Sequence, residues 1–546
     1  MRYLPGVWLG LLVGVAFLAG CSSNDDSSEL GGYPSDGLPG VGGSGGGSGS
    51  GGATGLGGSG GSSMADGGAY GGSGGAATGT AGGQNGDAQR PPEGVDAGEP
   101  EPDGGVSCSD LDSSKPEVLY LSADDSNSMA SPAITRRIIK QQAGIVPAGL
   151  IRTYEFLNYY NVPFDLPVHG DLRVVPQMRP AAAEGDMELQ IGVQAAAPPS
   201  LRRPTTITFV LDTSGSMSGS PIELTRATVK AIAAQLKQGD IVSAVTWNTG
   251  NNVVLSGHAV TGPSDPVLVQ MADSLSANGG TDLHSGLVAG YQLAEQHFGA
   301  DRINRVVLTS DGQANVGVTD ETLIGQKAND ENKEGIYLVG VGVGDGVNDT
   351  LMDAVTDAGN GAYVYIDSPD EAVKMFGGRF AETMDVAARA VQVKLTLPWY
   401  FQMYKFHGEE YSGDPKAVKP QHLAPGDAMV FHQVLRACDP AEIQGSDPME
   451  FAATWVDPFD YGERTVAVSL TIDELLAGQD AALKRGRAIV AYAEALKLVP
   501  SQTVAQRQQT IDAAVAVVSD ADPAGSDPAL SEIKDLLTAY RDVVAP

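Results

Sequence analysis

Between Thr205 and about Gly378 the chain alternates strand-like and helix-like segments, and that alternation limits the architectures open to it. Strands are expected at Ile207 to Leu211, Ile241 to Trp247, Arg305 to Leu308, Ile336 to Val341 and Ala362 to Tyr365. Helices are expected at Pro221 to Gln238, Leu283 to His297, Glu321 to Asn332 and Asn348 to Ala358. This order predicts an α/β fold with a doubly wound, mostly parallel, Rossmann-like sheet. In such sheets ligands bind outside the carboxyl ends of the strands, so the loops there are the first place to look for chemistry.

Three loops at that edge carry oxygen ligands. The apolar strand ending Phe209-Val210-Leu211 runs into Asp212-Thr213-Ser214-Gly215-Ser216; Gly279-Gly280-Thr281-Asp282 precedes a helix; Thr309-Ser310-Asp311-Gly312 follows a strand. Asp212, Ser214, Ser216, Thr281 and Asp311 together offer two carboxylates and three hydroxyls, which suit a hard cation such as Mg²⁺, with Mn²⁺ or Ca²⁺ as alternatives. Such a cation normally keeps water or an outside oxygen in its remaining position. Other motifs lead nowhere. Gly340-Val-Gly-Val-Gly344 has the wrong spacing and place for dinucleotide binding, and Asp345, Asn348 and Asp349 lack an EF-hand's spacing and read as a helix cap. No phosphate-binding Gly-Lys-Ser/Thr loop and no zinc spacing is present. A Ser216 and His284 hydrolase pair is conceivable, but Ser216 serves better as a ligand.

With these five positions in order on a matching strand and helix alternation, Thr205 to Gly378 resembles the von Willebrand factor A family and its metal-ion-dependent adhesion site. That resemblance implies that Ser214, Ser216 and Thr281 coordinate directly and that Asp212 and Asp311 act mostly through water. It also implies an open position for an Asp or Glu of a protein partner. The flanks look like those of bacterial lipoproteins of this family, sometimes labelled calcium-activated chloride-channel-like, through Ile151-Arg-Thr-Tyr-Glu-Phe-Leu-Asn-Tyr-Tyr and the strands leading to Asp212. The label implies no pore.

Outside the central domain, Val118 to Leu121 reads as a short strand and Ile134 to Gln142 as a helix. Asp124 to Met129 imperfectly echoes the Asp212 turn and reads as a helix N-cap cluster before Pro132. Arg152 to Tyr160 is aromatic-rich. Leu172 to Pro176 and Met187 to Val193 alternate like half-buried antiparallel strands, and the pattern returns at Val391 to Pro398, Met429 to Leu435 and Thr465 to Thr471. Strands on both sides of one insert predict a β-sandwich interrupted by the central domain. Ile472 to Val544 reads as two or three amphipathic helices, broken at Pro500 and at Asp520 to Pro528.

The start of the chain reads as an export signal. Arg2, the apolar stretch Val7 to Phe17 and Leu18-Ala19-Gly20-Cys21 resemble a bacterial lipoprotein box with Cys21 lipidated, which places the protein in the cell envelope, at the outer membrane in a Gram-negative host. Gly31 to about Gly105 is Gly and Ser with few apolar groups and reads as a disordered tether with an r.m.s. reach of about 45 to 50 Å. The expected divisions are therefore 1–21 (signal), 22–110 (tether), 111–204 (first strands), 205–378 (central domain), 379–471 (remaining strands) and 472–546 (helices). Cys108 and Cys438 would lie in an oxidising compartment, as a disulfide or as two separate thiols. With 34 Lys+Arg against 67 Asp+Glu the formal charge is −33, which disfavours nucleic acid. The function expected is a membrane-anchored, metal-dependent protein-binding module, neither an enzyme nor a binder of small-molecule substrates. A structural component of an envelope complex is the alternative.

Overall fold

The computed structural model describes residues 107–123, 128–167, 172–314, 335–458 and 460–545. The signal, the Cys21 lipid site, the tether up to residue 106, the Asp124 to Asn127 turn and the expected helix Glu321 to Asn332 lie outside the described residues.

The central sheet has six strands in the spatial order Asn251–Ala259, Ile241–Trp247, Thr205–Asp212, Ile303–Ser310, Ile336–Val343, Tyr363–Ile366. The doubly wound α/β fold expected from the sequence is what forms. All neighbours are parallel except the edge strand Asn251–Ala259, which runs antiparallel and was not anticipated. Its polar Asn251, Asn252, Ser256 and His258 interrupt the apolar signal of a strand exposed along much of its length. Every residue of Thr205–Asp212 and Ile303–Ser310 is buried, in keeping with the apolar runs Phe209-Val210-Leu211 and Val306-Val307-Leu308 within them. Helix Leu283–Gln296 lies close on this sheet, and Gly286 and Gly290 permit it: a Cβ would come within 2.6 Å of the Trp247 ring at the first and 2.2 Å of Val210 at the second.

Sequence order fixes where this sheet opens. After Thr205–Asp212 the chain moves outward to Ile241–Trp247 on one side; after Ile303–Ser310 it moves outward to Ile336–Val343 on the other. Thr205–Asp212 and Ile303–Ser310 are neighbours, so their carboxyl ends flank a crevice where the winding reverses.

Two further sheets share a second apolar core that includes Leu121, Leu189, Ile191, Leu395, Phe431 and Phe451. In one, Glu117–Ser122 pairs with Ala388–Leu397; in the other, Asp186–Ala195 pairs with Ala428–Ala437. Strands from before and after the central domain thus pair within each sheet. Asp186–Ala195 departs from the expected half-buried pattern, being buried at all its positions. Its second face lies under helix Ala481–Leu498 and Phe164: Gly486 lies beside Gln190, Arg487 pairs with Glu188, and Gly192 faces the Phe164 ring. Arg152 to Tyr160 likewise becomes a helix, Thr153–Tyr160, whose Phe156 and Tyr160 rings meet Tyr492 at 5.3 and 6.2 Å.

The tail forms helices Ile472–Ala477, Ala481–Leu498, Val504–Ala521 and Pro528–Val544. Among the described residues no helix is long and apolar enough to cross a membrane. Helix Ala130–Lys140 begins before the expected Ile134, and Met129 at its N-cap position makes no side-chain cap bond. Instead the buried Glu155 carboxylate accepts the Ser131 N–H at 2.6 Å, supplying a negative group at the helix N-terminus from another element. Order extends below the expected boundary at residue 110, since Cys108–Asp110 forms a turn of 3₁₀ helix and Cys108 is disulfide-bonded to Cys438 with a Cα separation of 5.1 Å.

Between the second sheet and helix Ala481–Leu498 lies a buried polar network. His432 bonds Glu188 at 2.9 Å and Gln190 at 3.0 Å, while His407 and Lys405 meet Glu494 at 3.5 and 2.8 Å. Burial pushes the His407 imidazolium down from 6.5 to about 4; Glu494 opposes this, and His432 and Lys405 reinforce it. Between those two values the ring is neutral in the fold but protonated in the unfolded chain, so the unfolded state binds more protons and stability falls as pH drops. Urea unfolding followed from pH 7 to pH 4 should lose on the order of 3 kcal/mol through His407 alone. His407→Gln should flatten that part of the profile, and an unchanged profile would contradict the assignment.

Candidate metal centre at the sheet crevice

Asp212 ends its strand at the crevice with its carboxylate fully enclosed. Oδ1 accepts the Ser214 N–H at 2.8 Å, and Oδ2 accepts the Ser310 hydroxyl at 2.6 Å. Among the described residues no lysine, arginine or histidine pairs with it. Burial pushes its carboxyl up to about 7, the Asp311 charge adds to the rise, and the Ser310 and Ser214 hydrogen bonds oppose it. A carboxylate enclosed without a counter-charge is costly, typically by several kcal/mol.

The first loop is fixed to its neighbours by backbone bonds. Thr213 donates its N–H and hydroxyl to the Trp247 carbonyl at 2.8 and 2.9 Å, and its own carbonyl accepts the Asn278 N–H at 2.7 Å. Gly215 N–H donates to the Gly279 carbonyl at 3.0 Å, which joins the first loop to the second. Gly279 adopts φ 81°, a conformation that strains residues with a Cβ, and Thr281 follows two residues later at 1% exposure. Asp282 then caps helix Leu283–Gln296 by accepting the Ser285 N–H at 3.1 Å. In the first loop Ser214 is buried and Ser216 exposed, their hydroxyl oxygens 3.1 Å apart.

On the third loop Asp311 is 3% exposed, accepts the Gln313 N–H at 3.1 Å and has no ion pair among the described residues. Its carbonyl accepts the Asn348 N–H at 2.8 Å, at the start of helix Asp349–Ala358. Asn348 caps that helix, as the sequence implied, by accepting the Leu351 N–H at 3.1 Å. Asp349 is held by Arg152 in two bonds of 2.6 and 3.1 Å. Gly340 sits where a Cβ would come 2.1 Å from Thr356 Oγ1, in keeping with close backbone approach as the reason for that glycine. Among the described residues Ser216 makes no hydrogen bond with His284.

The donor set fits a hard divalent cation. Asp212 and Asp311 supply two uncompensated carboxylates at adjacent strand ends, and Ser214 and Ser216 present hydroxyls toward one another on the loop that Gly279 secures. Among the described residues no group of three or more His, Cys, Asp or Glu is placed to hold a metal, and the oxygen donors here suit a hard ion better than a soft one. Ser310 was missed by sequence reasoning, although it stands directly before Asp311: it is the last residue of its strand, and its hydroxyl turns to Asp212.

Residues 206–377 match the family profile of the von Willebrand factor type A (VWA) domain, so the chain carries such a domain on this sheet. The protein YfbK of Escherichia coli (strain K12) is 28% identical over 296 residues, covering 51% of this chain and 50% of YfbK. Inter-alpha-trypsin inhibitor heavy chain H3 of Mesocricetus auratus is 24% identical over 197 residues, 35% of this chain and 22% of that protein. The chain thus spans half or less of the length of these curated relatives. A solved structure, the von Willebrand factor type A protein from Catenulispora acidiphila, aligns over 67% of this chain and 96% of its own, with 14% identity and a TM-score of 0.44.

Removing the Ser310 hydroxyl leaves the buried Asp212 carboxylate with one hydrogen bond fewer. In EDTA, Ser310→Ala should lower unfolding free energy by about 1 to 3 kcal/mol in urea titrations, the range for a buried bond to a charged group. A change within error would show that Ser310 does not support this carboxylate.

Proposed function

We propose that the protein is a metal-dependent protein-binding module. In this reading a Mg²⁺ ion, or Mn²⁺ or Ca²⁺ in its place, is held by Ser214, Ser216 and Thr281, with Asp212 and Asp311 acting mostly through water. Its open position accepts an Asp or Glu side chain of a partner protein. VWA domains generally mediate protein–protein interaction. The observation that carries the metal is the pair of buried, unneutralised carboxylates Asp212 and Asp311 at one crevice.

Electrostatics give the cation its task. With a net charge of −33 the chain repels acidic partners, and a divalent ion at the crevice supplies the one local attraction that a partner carboxylate needs. The reading also places the protein in the cell envelope, anchored through lipid on Cys21, where a binding head suits capture of a partner more than turnover of a substrate.

The test is a cross-linking pull-down from envelope fractions with the full chain in Mg²⁺, in EDTA, and as Asp212→Ala. Partner capture should be lost in EDTA and in the variant, while circular dichroism shows the fold retained. Undiminished capture in EDTA would sink the adhesion reading and favour a structural role carried by the sandwich and tail helices.

A further inference from the structure

Arg136 and Arg305 are the two buried arginines among the described residues, at 5% and 6% exposure, and their surroundings differ. Arg136 lies against three carboxylates, Asp367, Glu371 and Glu532, at 2.8, 3.0 and 3.6 Å. Arg305 has no carboxylate within ion-pairing distance among the described residues. Its one hydrogen bond there runs from Nη1 to the Asn304 carbonyl at 3.0 Å, although a guanidinium has five N–H donors. A buried charge left in this state is costly unless something outside the chain completes it.

The surroundings add positive charge. Arg305 lies over the Tyr337 ring at 5.0 Å, with Arg389 at 5.7 Å from the same ring. The His422 ring meets Tyr337 edge-on at 5.0 Å. Burial pulls the Arg305 guanidinium down to about 10; Asp385 opposes this, while Arg203 and Arg389 reinforce it. Burial with Arg305, Arg389 and Lys419 holds His422 down at about 4, so its ring is neutral at pH 7. His422 Nδ1 accepts the Ala390 N–H at 3.2 Å, which puts the ring proton on Nε2 as a donor.

Arg305, Tyr337, His422 and Asp385 are among the residues lining a cavity of about 30 Å³. Two carboxylates line it, and both are engaged: Asp385 by Arg203 at 2.8 Å and Glu382 by Arg379. That volume exceeds what one water needs and is too small for a nucleotide or a peptide side chain. Arg305 lies toward the opposite end of the strand that leads to Asp311, about 20 Å along the chain at 3.3 Å per residue, so this is not the metal centre.

We propose that this cavity is a binding site for a halide-sized inorganic anion, held by the Arg305 guanidinium with the His422 ring in the same lining. The anion supplies the counter-charge that Arg136 obtains from its own carboxylates. It ties the start of Ile303–Ser310 to strand Gln421–Leu423, which bears His422, and so joins the VWA sheet to the sandwich. Ligand binding to the folded state alone raises stability in a saturable way.

Thermal unfolding of the full chain, with sodium chloride or bromide replacing gluconate at fixed ionic strength, tests this. Tm should rise saturably with either halide, by a few degrees, and Arg305→Met should lose the halide-specific rise. Equal Tm in halide and gluconate, or the same halide rise in the variant, would overturn the proposal. Should the variant not fold, bromide-soaked wild-type crystals decide: an anomalous peak in the cavity beside Arg305 supports the site, and a cavity without one overturns it.

Discussion

The Asp212 carboxylate is enclosed by protein, hydrogen-bonded by Ser214 and Ser310, and faces no cationic side chain among the described residues. Much of the surrounding structure reads as the means of keeping it so. The two adjacent strands that end in Asp212 and Ser310 are buried throughout, so they fix the carboxylate and the hydroxyl that supports it. Backbone bonds from Thr213 to Trp247 and from Gly215 to Gly279 then hold the hydroxyl-bearing loop over it. A site prepared in this way holds a charge deficit that a hard cation can relieve without the loops first having to order.

The flanking elements bear on the same site. Helix Asp349–Ala358, whose start is bonded to the Asp311 carbonyl, is gripped by Arg152, which also pairs with the buried Glu155. Glu155 in turn accepts from Ser131 at the start of helix Ala130–Lys140. Helix Thr153–Tyr160 packs through Phe156 and Tyr160 against Tyr492 of the tail. A chain of ion pairs and ring contacts therefore runs from the crevice through the N-terminal helices to the tail. Each link is local and strong because it is shielded from water.

Much of the central sheet was legible, because a sheet buried on both faces writes apolar runs, and the five candidate positions stood out because its loops write Asp, Ser, Thr and Gly close together. What escaped was set by distant packing. Asp186–Ala195 reads as half-buried because Glu188, Gln190 and Gln194 are polar, yet a helix almost 300 residues later covers that face and satisfies Glu188. Thr153–Tyr160 carries aromatic residues that favour strands locally, and its helix is settled by contacts with the tail. Ser310 escaped because hydroxyls are common in turns, and only the register of two neighbouring strands aims it at Asp212.

The account rests on a divalent cation completing the Asp212 crevice. Anomalous diffraction from crystals of the full chain soaked in Mn²⁺ tests this most directly. The account predicts one strong manganese peak in contact with the Ser214, Ser216 and Thr281 hydroxyls, absent in Asp212→Ala. A crevice without manganese in the wild-type protein would contradict it.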